Sequence, residues 1–429
     1  MRTGLLSSGA GLVFAAMLAA ACSAHGPYAA GSSPAAGSPS PSGSSLPSAT
    51  PTQSPSPQPS PTASPSAAPV QPGPGAWLLS RSMSTPRADF AAVTLASGKV
   101  LLIGGESSST VDTATVDIFD PTTSIITAAA PMTTPRNGHS ATLLPSGKVL
   151  VAGGTPSPNG AALATAELYD PASNSWTAAA PMAQAREHHA AALLRNGKVF
   201  VAGGDGGVNR QDPTGNEVYD PGTNTWTSTQ AFYGDRPHGT TATVLSDGRA
   251  LVYGGVQQVQ PGNSYELYDP ATGQESYGHN MGPGDTSYST TALLPSGTVI
   301  IVGGEQTYNP TGALNTTYLY DPTKDNSGCS GCDSWSAGPA MNVGHCRHTM
   351  TTLASGLILV AGGRCGSSES IAVAELYDPA GQKWWPAATM QAARGFHVAA
   401  LLPGGRVLVA GGFVIHGAAT ATTEIYTPA

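Results

Sequence analysis

The sequence predicts an all-β protein, a seven-bladed β-propeller of four-stranded antiparallel blades over residues 76–429. Three observations carry this. A double glycine recurs at Gly104, Gly153, Gly203, Gly254, Gly303, Gly362 and Gly411, with spacings of 49, 50, 51, 49, 59 and 49 residues. A fixed period near 50 reads as one blade per repeat. Each pair follows a hairpin such as Ala190–Leu194, Arg195-Asn196-Gly197-Lys198 and Val199–Ala202, whose turn glycine supplies the positive φ of a tight turn. Finally, the last repeat runs only through a third strand at Glu424-Ile425-Tyr426, while Trp77, Met83 and Arg87 repeat the spacing of Trp176, Met182 and Arg186. Residues 76–83 therefore read as the fourth strand of the last blade, closing the ring and removing its exposed edges.

The chain starts differently. Residues 1–21 carry Arg2 and an apolar stretch from Leu5 to Ala20, short for a membrane span and ending in small residues, as a cleaved signal peptide does. Leu18-Ala19-Ala20-Ala21-Cys22 resembles a bacterial lipobox, which implies lipidation of Cys22, although Ala19 stands where that family usually has Leu. Ordinary cleavage and secretion is the alternative. Residues 22–75 are almost wholly Ser, Pro, Ala, Gly and Thr. Such a composition buries too little apolar surface to offset its ordering entropy. In polyproline II form, at ~3.1 Å per residue, it would be a tether reaching on the order of 150 Å. The expected location is the outer face of the cell membrane, with the lipid as the sole membrane contact.

Within the repeats, a strand ending in an aromatic is followed by Asp-Pro in most copies, as in Glu167-Leu168-Tyr169-Asp170-Pro171. A Trp stands six residues beyond the Asp (Trp176, Trp226, Trp384), then commonly a Met six later and an Arg four after that. The double Gly, the Tyr before Asp-Pro and the spaced Trp resemble the Kelch repeat across residues 76–429, with departures at Ile126 and Glu275. The resemblance implies a site in the loops around the channel mouth. With strands named a to d, the d–a and b–c loops share that face, while the short Asp-Pro turns lie on the other. Relatives of this type also include galactose-oxidase-like copper-radical enzymes and sialic acid mutarotases. The two Tyr and two His that hold copper in the former do not map onto this sequence.

Wherever the repeat Arg is present, an acid stands two residues before the strand-c aromatic: Arg87 with Asp117, Arg136 with Glu167, Arg186 with Glu217, Arg236 with Glu266, Arg394 with Glu424. These read as structural ion pairs within each blade, with His345 and Arg347 opposite Glu375 as a variant. His139, His189, His348 and His397 fall at the start of strand a, and repeat-encoded positions of this kind read as structural rather than metal-binding. Cys329 and Cys332 lie in the one lengthened c–d turn, and Cys346 and Cys365 on the opposite face, so one zinc site using all four is not expected. An exported chain favours disulfides, the alternative being a metal held by His345, Cys346, His348 and Cys365.

Net charge is −8, with 18 Lys+Arg and no basic run, which sets nucleic-acid binding aside. There is no nucleophilic triad, phosphate loop or dedicated carboxylate pair. The expectation is a monomeric, non-catalytic module without cofactor that binds an extracellular protein or glycan, a sugar-active enzyme or a wall protein being the other readings. Blade five breaks the repeat with Asp285 and Tyr288 in place of Arg and His. Together with Tyr308, His345 and Arg364 these form the candidate ligand cluster.

Overall fold

The computed structural model describes residues 71–108, 111–157, 160–207, 212–231, 239–255, 265–278, 286–306, 312–325, 334–364, 369–414 and 417–429. The signal segment, Cys22 and most of the tether lie outside them, as do Arg236, Asp285, Tyr308, Cys329, Cys332 and Cys365.

Seven four-stranded antiparallel sheets form the blades. Blade two shows the plan: strand a Ser140–Leu143, b Val149–Ala152, c Ala166–Asp170 and d Ser175–Ala179. The a strands of the others are Ala91–Thr94, Ala190–Leu193, Thr241–Val244, Thr290–Leu293, Thr349–Thr352 and Val398–Leu401, in blades one, three, four, five, six and seven. Each a strand packs on those of the two neighbouring blades, the seventh on the first, so they surround an axial channel.

Strand b is short and apolar throughout (Val149-Leu150-Val151-Ala152, for example), and its residues are buried on both faces. An uninterrupted apolar run suits a strand sandwiched between neighbouring sheets. The core is accordingly shared: Val149 and Val151 pack with Leu101 and Ile103 of blade one. Strand d, on the outside, is largely exposed.

The repeat Trp fastens one blade to the next. Trp176 Nε1 donates to the Ala130 carbonyl of blade one at 2.8 Å, and Trp226 Nε1 to Ala180 of blade two at 2.8 Å. The ring closes with the same device. Ala76–Leu79 pairs antiparallel with Thr423–Thr427, placing Trp77 opposite Tyr426. Trp77 Nε1 donates to the Ala388 carbonyl at 2.7 Å, so blade seven is fastened to blade six by a residue from the far end of the fold.

Candidate functional site at the channel mouth

Every d–a loop must turn sharply to feed strand a, and it does so through one residue in the left-handed region. Blades two and four use Gly138 and Gly239. The other five use Asp89, His188, Tyr288, Arg347 and Phe396, with φ between 49° and 57°. A left-handed L-residue costs roughly 1–2 kcal/mol, and while Asp and His tolerate it, Tyr, Arg and Phe are uncommon there. The backbone at these positions forms an annulus. The amide of His188 donates to the Gly138 carbonyl at 2.7 Å, Gly138 to Asp89 at 3.2 Å, Asp89 to Phe396 at 3.0 Å, Phe396 to Arg347 at 3.2 Å, Arg347 to Tyr288 at 3.3 Å and Tyr288 to Gly239 at 3.2 Å. Inside lies a cavity of about 280 Å³ that touches all seven blades.

The next residue of each blade forms a second tier. His139, His189, His348 and His397 stand here, with Phe90, Thr240 and Ser289 in blades one, four and five. The histidines clasp neighbouring blades: His189 Nε2 meets Ser140 Oγ at 2.8 Å, His348 Nε2 meets Thr290 Oγ1 at 2.7 Å, and His397 Nε2 meets Thr349 Oγ1 at 3.0 Å. His139 has no such clasp, because the corresponding residue of blade one is Ala91 and neither ring nitrogen has a hydrogen-bond partner. The Arg136 carbonyl raises its pKa slightly without reaching hydrogen-bond geometry. Burial, with the Arg136 charge nearby, pushes the His139 ring down to about 3, and burial likewise holds His397 at about 3. Both are neutral imidazoles. The small Thr240 and Ser289 widen the cavity on the side of blades four and five, and Ser289 Oγ is buried without a partner.

Charge is unevenly spread around the mouth. Asp89 Oδ2 lies 2.6 Å from His188 Nε2, and with Glu187 and Asp205 also near, the imidazole is raised to about 9 despite its burial. Glu106, opposite Asp112 in the blade-one hairpin, is raised to about 7 by desolvation and by the Asp112 and Asp89 charges. Across the mouth, Arg347 lies with its guanidinium 3.8 Å from the Tyr288 ring centre and 4.9 Å from that of Phe396, and its Nη2 is 3.0 Å from Glu305. Aromatic faces on either side hold the cation by their quadrupoles and fix its plane.

Of the residues singled out from sequence, Tyr288 lies in this cavity. His345 does not. It is fully buried in the place that Arg136 holds in blade two, with Nδ1 2.7 Å from the Gly362 carbonyl and Nε2 3.4 Å from Glu375. Arg364 sits on the b–c loop, its guanidinium 5.6 Å from the Phe413 ring, and is not part of the cavity wall. Blade five is also offset by one residue from the expected alignment. The Thr286 carbonyl accepts from Gly255 as the Arg186 carbonyl accepts from Gly154. Thus Thr286, rather than Asp285, occupies the Arg position, and Ser289, rather than Tyr288, the His position. The reason is one extra residue: Met281 precedes Leu294 by 13 positions, where Met132 precedes Leu144 by 12.

The Arg–acid sets lie away from the cavity, between loop and strand c. Arg136 is 3.2 Å from Glu167, Arg186 2.9 Å from Glu217, Arg394 2.7 Å from Glu424 and Arg87 2.8 Å from Asp117, all buried. Each guanidinium also donates to the carbonyl of the first repeat glycine, as Arg186 does to Gly203 at 2.7 Å. Glu217 accepts in turn from the amides of Ala183 and Gln184. Glu266 is buried beside Asn216. Cys346 is buried at the blade-six loop.

Four of the five side chains of the ring were not among the candidates read from sequence: Asp89, His188, Phe396 and Arg347, which was read as paired with Glu375 and lies instead against Glu305. The signal was a column, not a motif. Aligning the residue before each repeat His gives Asp, Gly, His, Gly, Tyr, Arg and Phe, a position where glycine alternates with residues ill suited to replace it.

Comparison with known proteins agrees on the fold. The KLHDC2/KLHL20/DRC7 Kelch-repeats domain family matches residues 90–282. No curated protein matches the chain in sequence. Among solved structures, a fungal alcohol oxidase of the AA5 family, in complex with copper, superposes with a TM-score of 0.66 at 17% identity, over 83% of this chain and 77% of that one. At that identity the likeness is of fold. A copper centre does not fit the second tier, since Nε2 of three of its histidines is taken by hydroxyls and, among the described residues, no group of three or more His, Cys, Asp or Glu is placed to hold a metal ion. By architecture residues 76–429 form a seven-bladed β-propeller, and residues 90–282 of it match a Kelch-repeat family.

Proposed function

We propose that this propeller is a non-catalytic binding module that takes a small polar group, the end of a glycan or a side chain of a partner protein, into the mouth of its channel. The observation that carries this reading is the ring of left-handed residues. Five blades place a functional side chain where glycine would be unstrained, and those side chains converge on one cavity. Strain kept at one place in a fold points to use of that place. A cavity of about 280 Å³ suits one sugar ring or one side chain rather than an extended ligand.

The test is a glycan array read alongside variants that return the ring to glycine. Tyr288→Gly and Asp89→Gly should abolish retention of any glycan bound by the parent. Tyr288→Gly should keep Tm within about 3 °C, because relief of strain offsets the entropy that glycine adds to the unfolded chain, whereas Asp89→Gly should also lower Tm by unpairing His188. Retention unchanged in both variants would move the site elsewhere. Display at the cell surface is part of the same reading and rests on the lipobox at Leu18–Cys22. Cys22→Ser should shift the protein from the membrane fraction to the medium, and a processed variant still on the membrane would refute it.

A further inference from the structure

We propose that the wall of the channel mouth at blade five receives a neutral imidazole ring, and that this ring is the side chain of a histidine in a partner protein. This deepens the reading above and rests on it. The observation is a ring missing from a repeated arrangement. In the second tier, five blades lay an aromatic ring against the first repeat glycine of the preceding blade: Phe90 on Gly411, His139 on Gly104, His189 on Gly153, His348 on Gly303 and His397 on Gly362. A methyl group placed on any of these glycines would meet a ring carbon at 2.6–3.1 Å. Blade five has Ser289 instead. A methyl on Gly254 would find the Thr286 and Gly239 carbonyls at 3.0 and 3.2 Å, and its nearest side-chain atom would be the Ser289 hydroxyl at 3.8 Å. The place of one ring is thus left to the cavity, which Thr240, Thr241 and Ser289 line on this side.

The surroundings of that place match what the propeller gives its own histidines. His189, His348 and His397 each set Nε2 against the hydroxyl that opens strand a of the preceding blade, on Ser140, Thr290 and Thr349. In blade four that residue is Thr241, whose hydroxyl makes a long bond, 3.3 Å, to the Tyr253 carbonyl. On the other side of each ring lies the carbonyl of the Arg position, Arg186 beside His189 and Arg394 beside His397. Thr286 supplies this carbonyl in blade five, accepting from Gly255 as Arg186 does from Gly154. A neutral imidazole carries one donor and one acceptor on its two nitrogens, so it can satisfy a carbonyl and a hydroxyl at once. Ser289 Oγ, 3% exposed and without a partner, adds a third polar contact that a ligand would recover. The charged groups of the lining are matched within the protein, Asp89 by His188 at 2.6 Å and Arg347 by Glu305 at 3.0 Å, which suits an uncharged guest.

The experiment is calorimetric titration of the full chain at pH 8, above the ordinary imidazole pKa of about 6.5, so that the ring is neutral. Imidazole should bind at least about 10-fold more tightly than pyrrole, a ring of the same size with the donor and no acceptor. N-acetylhistidinamide should bind no more weakly than imidazole. Thr241→Val should erase the preference for imidazole over pyrrole. Ser289→His should melt no lower than the parent, since it restores the arrangement of the other blades, and should abolish imidazole binding. If that variant folds poorly, the comparison with pyrrole on the parent still decides. Pyrrole bound as tightly as imidazole overturns the inference, as does imidazole binding retained in folded Ser289→His. Failure of N-acetylhistidinamide where imidazole binds overturns the assignment to a histidine. Absence of imidazole binding overturns the whole inference. A glycan held by the parent and lost in Tyr288→Gly would then leave the binding-module reading standing, and an empty array would remove both.

Discussion

His139 is a residue left without its counterpart. Its equivalents in blades three, six and seven each bond a hydroxyl of the preceding blade, whereas His139 faces Ala91. Ala91→Ser should supply the missing acceptor and stabilise the fold by about 1 kcal/mol, the usual net worth of a buried hydrogen bond. Denaturant unfolding of the variant checks this, and an unchanged midpoint would mean that the histidine has no need of the clasp. The histidines also set the pH profile. His139 and His397, held at about 3, favour the folded state above the unfolded value near 6.5, and this stability is lost as pH falls toward 3. His188, held at about 9, acts the other way: its contribution is complete below about 6.5 and vanishes as pH rises through 9. Glu106, at about 7, opposes the two neutral histidines between about 4.5 and 7, since it is the folded state that keeps its proton there. His189 and His348 are also held well below the free value by burial, so four histidines against Glu106 leave a rising limb on the acid side and a falling one on the alkaline side. Melting temperature followed from pH 5 to 10 should therefore peak near neutrality, and His188→Gln should flatten the alkaline limb alone. None of this was legible in the sequence, because the pKa of each ring is set by its neighbours in other blades.

The element level was read more fully. Seven sheets, their hairpin turns and the Trp positions follow from a repeat that each copy states again, and the Arg–acid columns marked residues that the fold brings within 3.2 Å of each other. The pair Arg186–Glu217 offers a quantitative check. Arg186→Ala should cost about 3 kcal/mol or more, since it strands a buried carboxylate, and adding Glu217→Gln should cost less than the sum of the single changes. Additive penalties in a double-mutant cycle would show that the two groups are held independently. Where copies diverge in length the reading slipped. One added residue before strand a of blade five moved Tyr288 from the second tier to the ring, and a period counted from Met281 could not register it. The exchange of Arg for His345 in blade six was read both as an ion-pair variant and as a ligand contact. The structure places His345 against Glu375 and the Gly362 carbonyl, with Nδ1 and Nε2 reproducing the guanidinium's two directions, and turns Arg347 to Glu305 instead.

At the scale of the molecule, stability depends on a strand that comes from the other end of the fold. Removing residues 76–83 deletes the pairing of Ala76–Leu79 with Thr423–Thr427 and the Trp77 bond to blade six, exposing Tyr426 and an open sheet edge. That variant should aggregate or lose the cooperative transition seen by calorimetry, whereas removing residues 23–70 should leave the transition in place. Equal melting of the two truncations would refute closure by this strand. The same feature bears on how the protein is made. The hydroxyl of Thr423 donates to the Arg81 carbonyl, 342 positions earlier in the sequence. On a ribosome that adds about 5–20 residues per second, the first strand therefore waits on the order of half a minute for its mate. During that interval Trp77, Leu78 and Leu79 travel as an unpaired apolar segment, and any holding factor or early export of the nascent chain would have its greatest effect in that interval.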